Sequence, residues 1–277
     1  MDNDSAKRLV FVVGCPRSGT SALAWALAKH PAFATGPESN FLWHLCREGR
    51  VRSAWEEAHR VADGWLAQKQ VGWEEFAASL GSGLQRLFAS RAGDRRWVDS
   101  SPENVLVAED LAALFPTAHF LHLVRDGRAV VSSMLRCGFP QPWAQDFDEA
   151  CRTWTFYVIR GMRAQEALGE RMLTLSHRWL VEDTAATCRA ILRFLGEPEH
   201  PGPAHFLRTR RINSSYDAEN REDMKRAKDP GRLREQPWEG WPAEWHARFT
   251  ALAAEPEAYA AELSQTEPAQ LGGDPIR

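Results

Sequence analysis

A short stretch near the start of the chain combines small residues with a positive charge and could bind an anion. Gly14 to Ser21 reads Gly-Cys-Pro-Arg-Ser-Gly-Thr-Ser. The two glycines let a ligand approach the backbone N–H groups, and Arg17 adds a positive charge. The candidate anion-binding residues are Pro16, Arg17, Ser18, Gly19, Thr20 and Ser21.

The elements on either side of this loop place it at the edge of a sheet. Leu9 to Val13 is an apolar run rich in β-branched residues, which is typical of a strand buried on both faces. From Ser21 onward, apolar residues recur at helical spacing. A strand followed by a glycine loop and a helix N-terminus attracts phosphate or sulfate groups.

The loop differs from nucleotide-triphosphate P-loops at one position. It has their glycine spacing, but Thr20 stands where those loops place lysine. That lysine normally reaches the β- and γ-phosphates, so its absence argues against ATP or GTP. A tyrosine-phosphatase loop is excluded as well, because Ser21 occupies the position, six residues after Cys15, at which an arginine is required.

A second segment also ends a strand with a cation. His119 to Val124 is predicted to be a strand, and Arg128 to Leu135 begins a helix after a turn. Arg125 at the strand end and Ser133, about two turns into the helix, can both face one phosphate. Arginine suits such a dianion because its guanidinium binds two oxygens at once.

These two segments resemble the 5′-phosphosulfate loop and the 3′-phosphate site of sulfotransferases that use 3′-phosphoadenosine 5′-phosphosulfate (PAPS). The resemblance spans about residues 8–263, and the families that the chain resembles include the tyrosylprotein and the bacterial carbohydrate and small-molecule sulfotransferases. It implies an α/β, P-loop-containing nucleotide hydrolase-like fold, with three α/β/α layers and a central parallel sheet of about five strands. It also implies PAPS as co-substrate, and Arg125 and Ser133 as ligands of the 3′-phosphate. No metal is expected, because the sequence has no cluster of metal ligands.

Glu38 is the candidate catalytic base. It follows a predicted short strand, Phe33 to Thr35, and relatives place a proposed base at this point. Arg17 would stabilise charge on the transferred group. The alternative role for Glu38 is to cap a helix that begins at Glu38 or Ser39. The next candidates for the base are His44 and Asp99.

Two departures from the family pattern leave other functions open. Ser100 stands where relatives often have lysine, which leaves Arg17 and the hydroxyls of Ser100 or Ser101 to stabilise the bridging oxygen. His177 and Arg178 replace the usual Tyr-Glu pair. The alternatives are a non-catalytic protein that binds PAPS or its product, and a P-loop small-molecule kinase.

Two further regions carry expectations about specificity. Residues 41–95 read as a helical insertion that would hold the acceptor site, with Gly81-Ser82-Gly83 as a possible interruption. A basic segment from Arg208 to Arg234 resembles a loop that covers the nucleotide in relatives. Its candidate contacts are Ser214, Ser215 and one of Arg210 or Arg211. A solvated basic loop is the alternative.

Length and composition complete the expectations. The 277 residues fit a single domain, with a disordered tail after about residue 265. A net charge of −3 favours neither nucleic acid nor membrane binding. Five cysteines without a C-x-x-C pair, and no signal peptide, predict a cytoplasmic protein. The expected acceptor is a small-molecule, carbohydrate or phenolic hydroxyl, and the sequence leaves the oligomeric state open.

Overall fold

The computed structural model describes residues 9–210 and 238–266. The candidate contacts Ser214, Ser215 and Arg211 therefore lie outside the described residues, as does the tail beyond residue 266. No helix within the described part of the chain is both long and apolar enough to cross a membrane.

Five short strands form one parallel sheet. They are β1 (Val10–Gly14), β2 (Phe33–Thr35), β3 (Arg96–Asp99), β4 (His119–Val124) and β5 (Met172–Ser176). Their order across the sheet is β2-β3-β1-β4-β5. The chain leaves β1 toward one edge and later crosses to the other side of β1. Open α/β sheets bind their ligands at such a reversal, beyond the carboxyl ends of the strands.

Helices pack on both faces of this sheet. Before β4 they are α1 (Thr20–Leu27), α2 (Phe41–Cys46), α3 (Arg50–Arg60), α4 (Trp65–Gln68), α5 (Trp73–Ala92) and α6 (Ala108–Leu114). After β4 they are α7 (Gly127–Met134), α8 (Phe147–Leu168), α9 (His177–Glu182), α10 (Thr184–Phe194), α11 (Pro201–Thr209) and α12 (Ala243–Gln265). Short 3₁₀ turns link several of them.

Alternation along β1 divides the core into two layers. Phe11 and Val13 face one apolar cluster, which includes the buried ring of Trp154. Val10 and Val12 face the other cluster, together with Leu23 of α1. Successive side chains of a strand point to opposite faces, so a strand that is apolar at every position must be covered on both. The predicted three-layer α/β/α fold with a parallel five-stranded sheet is confirmed.

Two predicted helix boundaries are wrong. The helix expected to start at Glu38 or Ser39 begins at Phe41, because Asn40 adopts a positive φ of 50° that a helix cannot accommodate. The interruption expected at Gly81-Ser82-Gly83 does not occur, since α5 runs unbroken from Trp73 to Ala92.

Gly81 instead allows two helices to pack closely. A Cβ atom added at Gly81 would lie 1.8 Å from the carbonyl oxygen of Leu114, at the end of α6. A Cβ at Gly83 would meet only the flexible end of Arg86, at 3.8 Å. The two glycines share a helix but have opposite surroundings.

We therefore predict opposite effects of alanine at these two positions. Gly81→Ala should lower the free energy of unfolding by about 2 kcal/mol, because the backbone of α6 must move. Gly83→Ala should raise it by about 0.5–1 kcal/mol through the better helix propensity of alanine. Urea unfolding followed by circular dichroism measures both, and a stabilised Gly81→Ala variant would contradict the packing role of Gly81.

Candidate functional site

The parallel pairing of β1 with β4 brings the two predicted anion-binding segments side by side. The register runs from Val10 opposite His119 to Gly14 opposite Leu123. A Cβ at Gly14 would lie 2.5 Å from the carbonyl oxygen of Leu123, and the φ of Gly14 is 150°. Only glycine fits at this closely packed strand end, where the loop leaves the sheet beside Arg125.

The loop after β1 has the backbone of an anion-binding turn. Arg17 and Gly19 have positive φ angles of 71° and 100°, and the N–H of Ser18 donates to the carbonyl of Cys15 at 3.1 Å. Gly19 is the N-cap of α1, so the loop leads directly into a helix N-terminus. Left-handed residues within a turn direct successive N–H groups toward one concave side, which suits phosphate oxygens.

Arg17 connects the predicted subsites. Arg125 Nη1 donates to the backbone oxygen of Arg17 at 3.0 Å, and Arg17 Nε donates to Ser133 Oγ at 3.3 Å. The structure thus brings together Arg17, Arg125 and Ser133, residues that lie up to 116 positions apart in the chain. Three groups suited to oxyanions therefore meet at the carboxyl end of the sheet.

Of the two neighbouring serines of α7, Ser133 and not Ser132 lies at the junction of Arg17, Arg125 and Ser133. Ser132 is buried on α7, and its hydroxyl has no hydrogen-bond partner within the described residues. Asp126 caps α7 by accepting from the N–H of Ala129 at 2.8 Å. Arg136, just beyond the end of α7, donates from Nε to the carbonyl of Ser132 at 2.9 Å and so contacts the backbone of that helix.

The replacement of Tyr-Glu by His177 and Arg178 has two separate consequences. The ring of His177 packs against the loop, since a Cβ added at Gly19 would lie 3.2 Å from its Cδ2. Burial, with the nearby charge of Arg125, lowers the pKa of His177 to about 3, so the imidazole is neutral at pH 7. Arg178 is exposed and pairs with Glu182 at 2.7 Å on α9.

Glu38 lies between β2 and α2, beyond the carboxyl end of β2. The N-cap residue of α2 is Asn40, so Glu38 lies two residues before the helix begins. Glu38 is half-buried and close enough to Tyr157 for its charge to help raise the pKa of the tyrosine.

Tyr157 and Glu103 are site residues that sequence reasoning missed. Burial raises the pKa of Tyr157, and the charges of Glu103, Cys15 and Glu38 act in the same direction. Burial also raises the pKa of Glu103, whose Oε2 has no hydrogen-bond partner in the described part of the chain. The helical spacing of Tyr157 indicated only a core position, and nothing local distinguished Glu103 from a surface carboxylate.

Asp99 and His44, the next candidates for the base, differ in their surroundings. Asp99 is buried, and its Oδ1 accepts from the N–H of Ser101 at 2.8 Å and from Asn104 Nδ2 at 3.0 Å. Asp99 thus fixes the turn after β3. Ser101 Oγ accepts from the N–H of Asn40 at 3.1 Å, which ties this turn to the segment that carries Glu38. His44 is exposed on α2.

The arrangement suits transfer of an anionic group. The loop and Arg17 can bind and stabilise negative charge, Arg125 and Ser133 can hold a second anion, and Glu38 can accept a proton. Among the residues that the structure describes, no group of three or more His, Cys, Asp or Glu side chains is placed to hold a metal ion.

Comparison with known proteins gives these features a context. The sequence model of the sulfotransferase family matches residues 10–202. The chain is 28% identical over 197 residues to protein-tyrosine sulfotransferase A of Caenorhabditis elegans, covering 68% of this chain and 50% of that protein. It is 31% identical over 135 residues to nodulation protein NoeE of Sinorhizobium fredii, covering 46% of this chain and 30% of NoeE. The chain spans about half the length of the tyrosine sulfotransferases it matches.

Solved structures agree on the fold. The sulfotransferase domain of the curacin biosynthetic pathway superposes with a TM-score of 0.56 at 18% identity, covering 94% of this chain and 98% of that domain. The sulfotransferase domain of the Synechococcus PCC 7002 olefin synthase gives 0.55 at 22% identity, covering 94% and 96%. With the family match extending across both anion-binding segments, the chain belongs to the sulfotransferase family.

Proposed function

We propose that this sulfotransferase moves a sulfuryl group from PAPS to a hydroxyl acceptor. The observation that carries the proposal is the junction of Arg17, Arg125 and Ser133. A nucleotide with phosphates at both its 3′ and 5′ positions offers two anions. The 5′ group would bind the loop and Arg17, and the 3′-phosphate would bind Arg125 and Ser133. A mouse sulfotransferase of the same fold, with a TM-score of 0.50, was solved as a complex with PAP, the 3′,5′-bisphosphate product.

Each residue has a defined part in the proposed reaction. Glu38 takes the proton of the acceptor hydroxyl as the oxygen attacks sulfur. The S–O bond to the 5′-phosphate breaks, and the electron pair leaves on that phosphate. Arg17 and the loop N–H groups stabilise the charge that develops there. Arg125 and Ser133 select the donor through its 3′-phosphate.

The proposed acceptor is a phenolic hydroxyl, with tyrosine as the first compound class to test. Several relatives are named protein-tyrosine sulfotransferases, which favours a phenol among the small-molecule, carbohydrate and phenolic acceptors that the sequence left open. Transfer of ³⁵S from labelled PAPS to tyrosine methyl ester, N-acetylglucosamine or an aliphatic alcohol would rank the three classes.

Calorimetric titration tests the nucleotide. We expect PAP to bind tightly without magnesium and 5′-AMP to bind much more weakly, because only PAP engages Arg125 and Ser133. ATP binding that requires magnesium, with no binding of PAP, would replace this proposal with a kinase. PAP binding without turnover of any acceptor would instead favour a non-catalytic PAPS-binding protein.

Arg125→Ala should weaken PAP binding by about 2 kcal/mol, roughly thirtyfold in Kd, because it removes a charged hydrogen-bond donor from the 3′-phosphate. The effect on 5′-AMP should be much smaller, since AMP lacks that group. Arg178→Ala is the matched control, as Arg178 is exposed and pairs only with Glu182 among the contacts described above. Equal losses of affinity for PAP and AMP would contradict the assignment of Arg125 to the 3′-phosphate.

Glu38→Gln should leave PAP affinity unchanged and reduce kcat by roughly 10²–10⁴, because the amide cannot accept the acceptor proton. The exposed Glu57 provides the control variant Glu57→Gln, which should keep full activity. Steady-state kinetics with labelled PAPS measures both variants. If Glu38→Gln keeps full activity, the base must be sought among the other carboxyls of the site.

A further inference from the structure

Phe139 is an aromatic residue at the site that the proposed reaction does not use. It lies in the loop between α7 and α8, and 37% of its surface is exposed. Single exposed apolar side chains are common on protein surfaces, so the exposure of Phe139 is not itself informative, and what distinguishes this ring is its neighbour. The guanidinium of Arg17 lies over its ring, 5.8 Å from the ring centroid.

The loop holds this ring in place. Gly138 has a φ of 73°, which reverses the chain after α7 at a point where nothing crowds it. Pro140 restricts the backbone of Phe139 to extended conformations. Trp143 packs edge-on against the ring at 6.0 Å and 72°. The ring therefore has a defined orientation despite its exposure.

The Arg17 side chain is held in one orientation by contacts with its surroundings. Its side chain projects from a loop residue with a positive φ, and fixing an arginine side chain costs rotamer entropy. Ser133 Oγ accepts from Nε at 3.3 Å and so fixes the edge of the guanidinium. The guanidinium carbon lies over the ring of Phe139. A cation over an aromatic face gains about 0.5–1 kcal/mol at an exposed site.

We propose that Phe139 is a positioning residue that, together with Ser133, orients the Arg17 guanidinium toward the sulfuryl group. The proposal rests on the proposed function. It predicts that loss of the ring lowers kcat, because a preoriented cation stabilises charge in the transition state without reorganising. It also predicts that the binding of PAPS and of the acceptor changes much less than kcat, because the loop N–H groups, Arg125 and Ser133 still hold the donor.

The test compares Phe139→Leu with Phe139→Tyr. Leucine keeps apolar bulk but has no aromatic face, whereas tyrosine keeps the ring and should rescue activity. The control is Phe156→Leu, because Phe156 is 53% exposed on α8 and has no described contact with Arg17. With tyrosine methyl ester as acceptor, we expect Phe139→Leu to lower kcat roughly fivefold, with much smaller changes in KM and PAP affinity. Phe139→Tyr should stay within about twofold of the wild type.

A cycle with Arg17→Met, which removes the cation but keeps an unbranched side chain, separates positioning from a general structural role. In that background Phe139→Leu should have little further effect on kcat, because the group that the ring orients is gone. The same loss in both backgrounds would overturn the proposal. So would a change in KM for PAPS or acceptor with kcat unchanged, since the ring would then contact a ligand.

A nuclear magnetic resonance measurement does not depend on activity. The Nε–H signal of Arg17 is identified by its loss in Arg17→Met. It should move in Phe139→Leu and not in Phe156→Leu, because the ring current disappears in the first variant alone. An unmoved signal overturns the contact, whether or not the protein turns over. Failure of PAP to bind the wild type would instead defeat the proposed function, so the two failures are distinguishable.

Discussion

The parallel pairing of β1 with β4 is the constraint on which the site depends. It places Gly14 opposite Leu123 and so brings the glycine loop and Arg125 to one edge of the sheet. The packing there leaves no room for a side chain at Gly14, whose added Cβ would lie 2.5 Å from the Leu123 carbonyl oxygen. Displacement of β4 along β1 would separate Arg125 from the backbone oxygen of Arg17 and dismantle the junction of subsites.

The chemistry of the site follows from where each charge is placed. Arginines are concentrated beside the loop, where donor phosphates would bind, whereas carboxyls lie near Tyr157 on α8. Burial raises the pKa of Glu103, and the buried Tyr157 shares its surroundings with Glu38.

The departures from the family pattern leave Arg17, Arg125 and Ser133 together at the site. His177 is a neutral ring packed against Gly19, and it adds no positive charge to a loop that already has Arg17 and Arg125 beside it. Ser100 is buried at the end of β3, where relatives often have lysine. The Arg17 guanidinium, fixed by Ser133 and lying over Phe139, is a cation that can take over the task of that lysine.

The sequence by itself determined the order of strand, loop and helix around both candidate anion-binding segments, because strand periodicity, turn glycines and helix spacing are local properties. Its resemblance to the sulfotransferase family implied the fold class. The sequence did not reveal the contact of Arg17 with Ser133, 116 residues away, or the position of Tyr157 beside Glu38. Nor did it show that Gly81 allows the backbone of α6 to pack closely against an unbroken helix, rather than interrupting that helix. Such contacts depend on how crossovers fold over the sheet and which way side chains point once packed, so only the tertiary structure decides them.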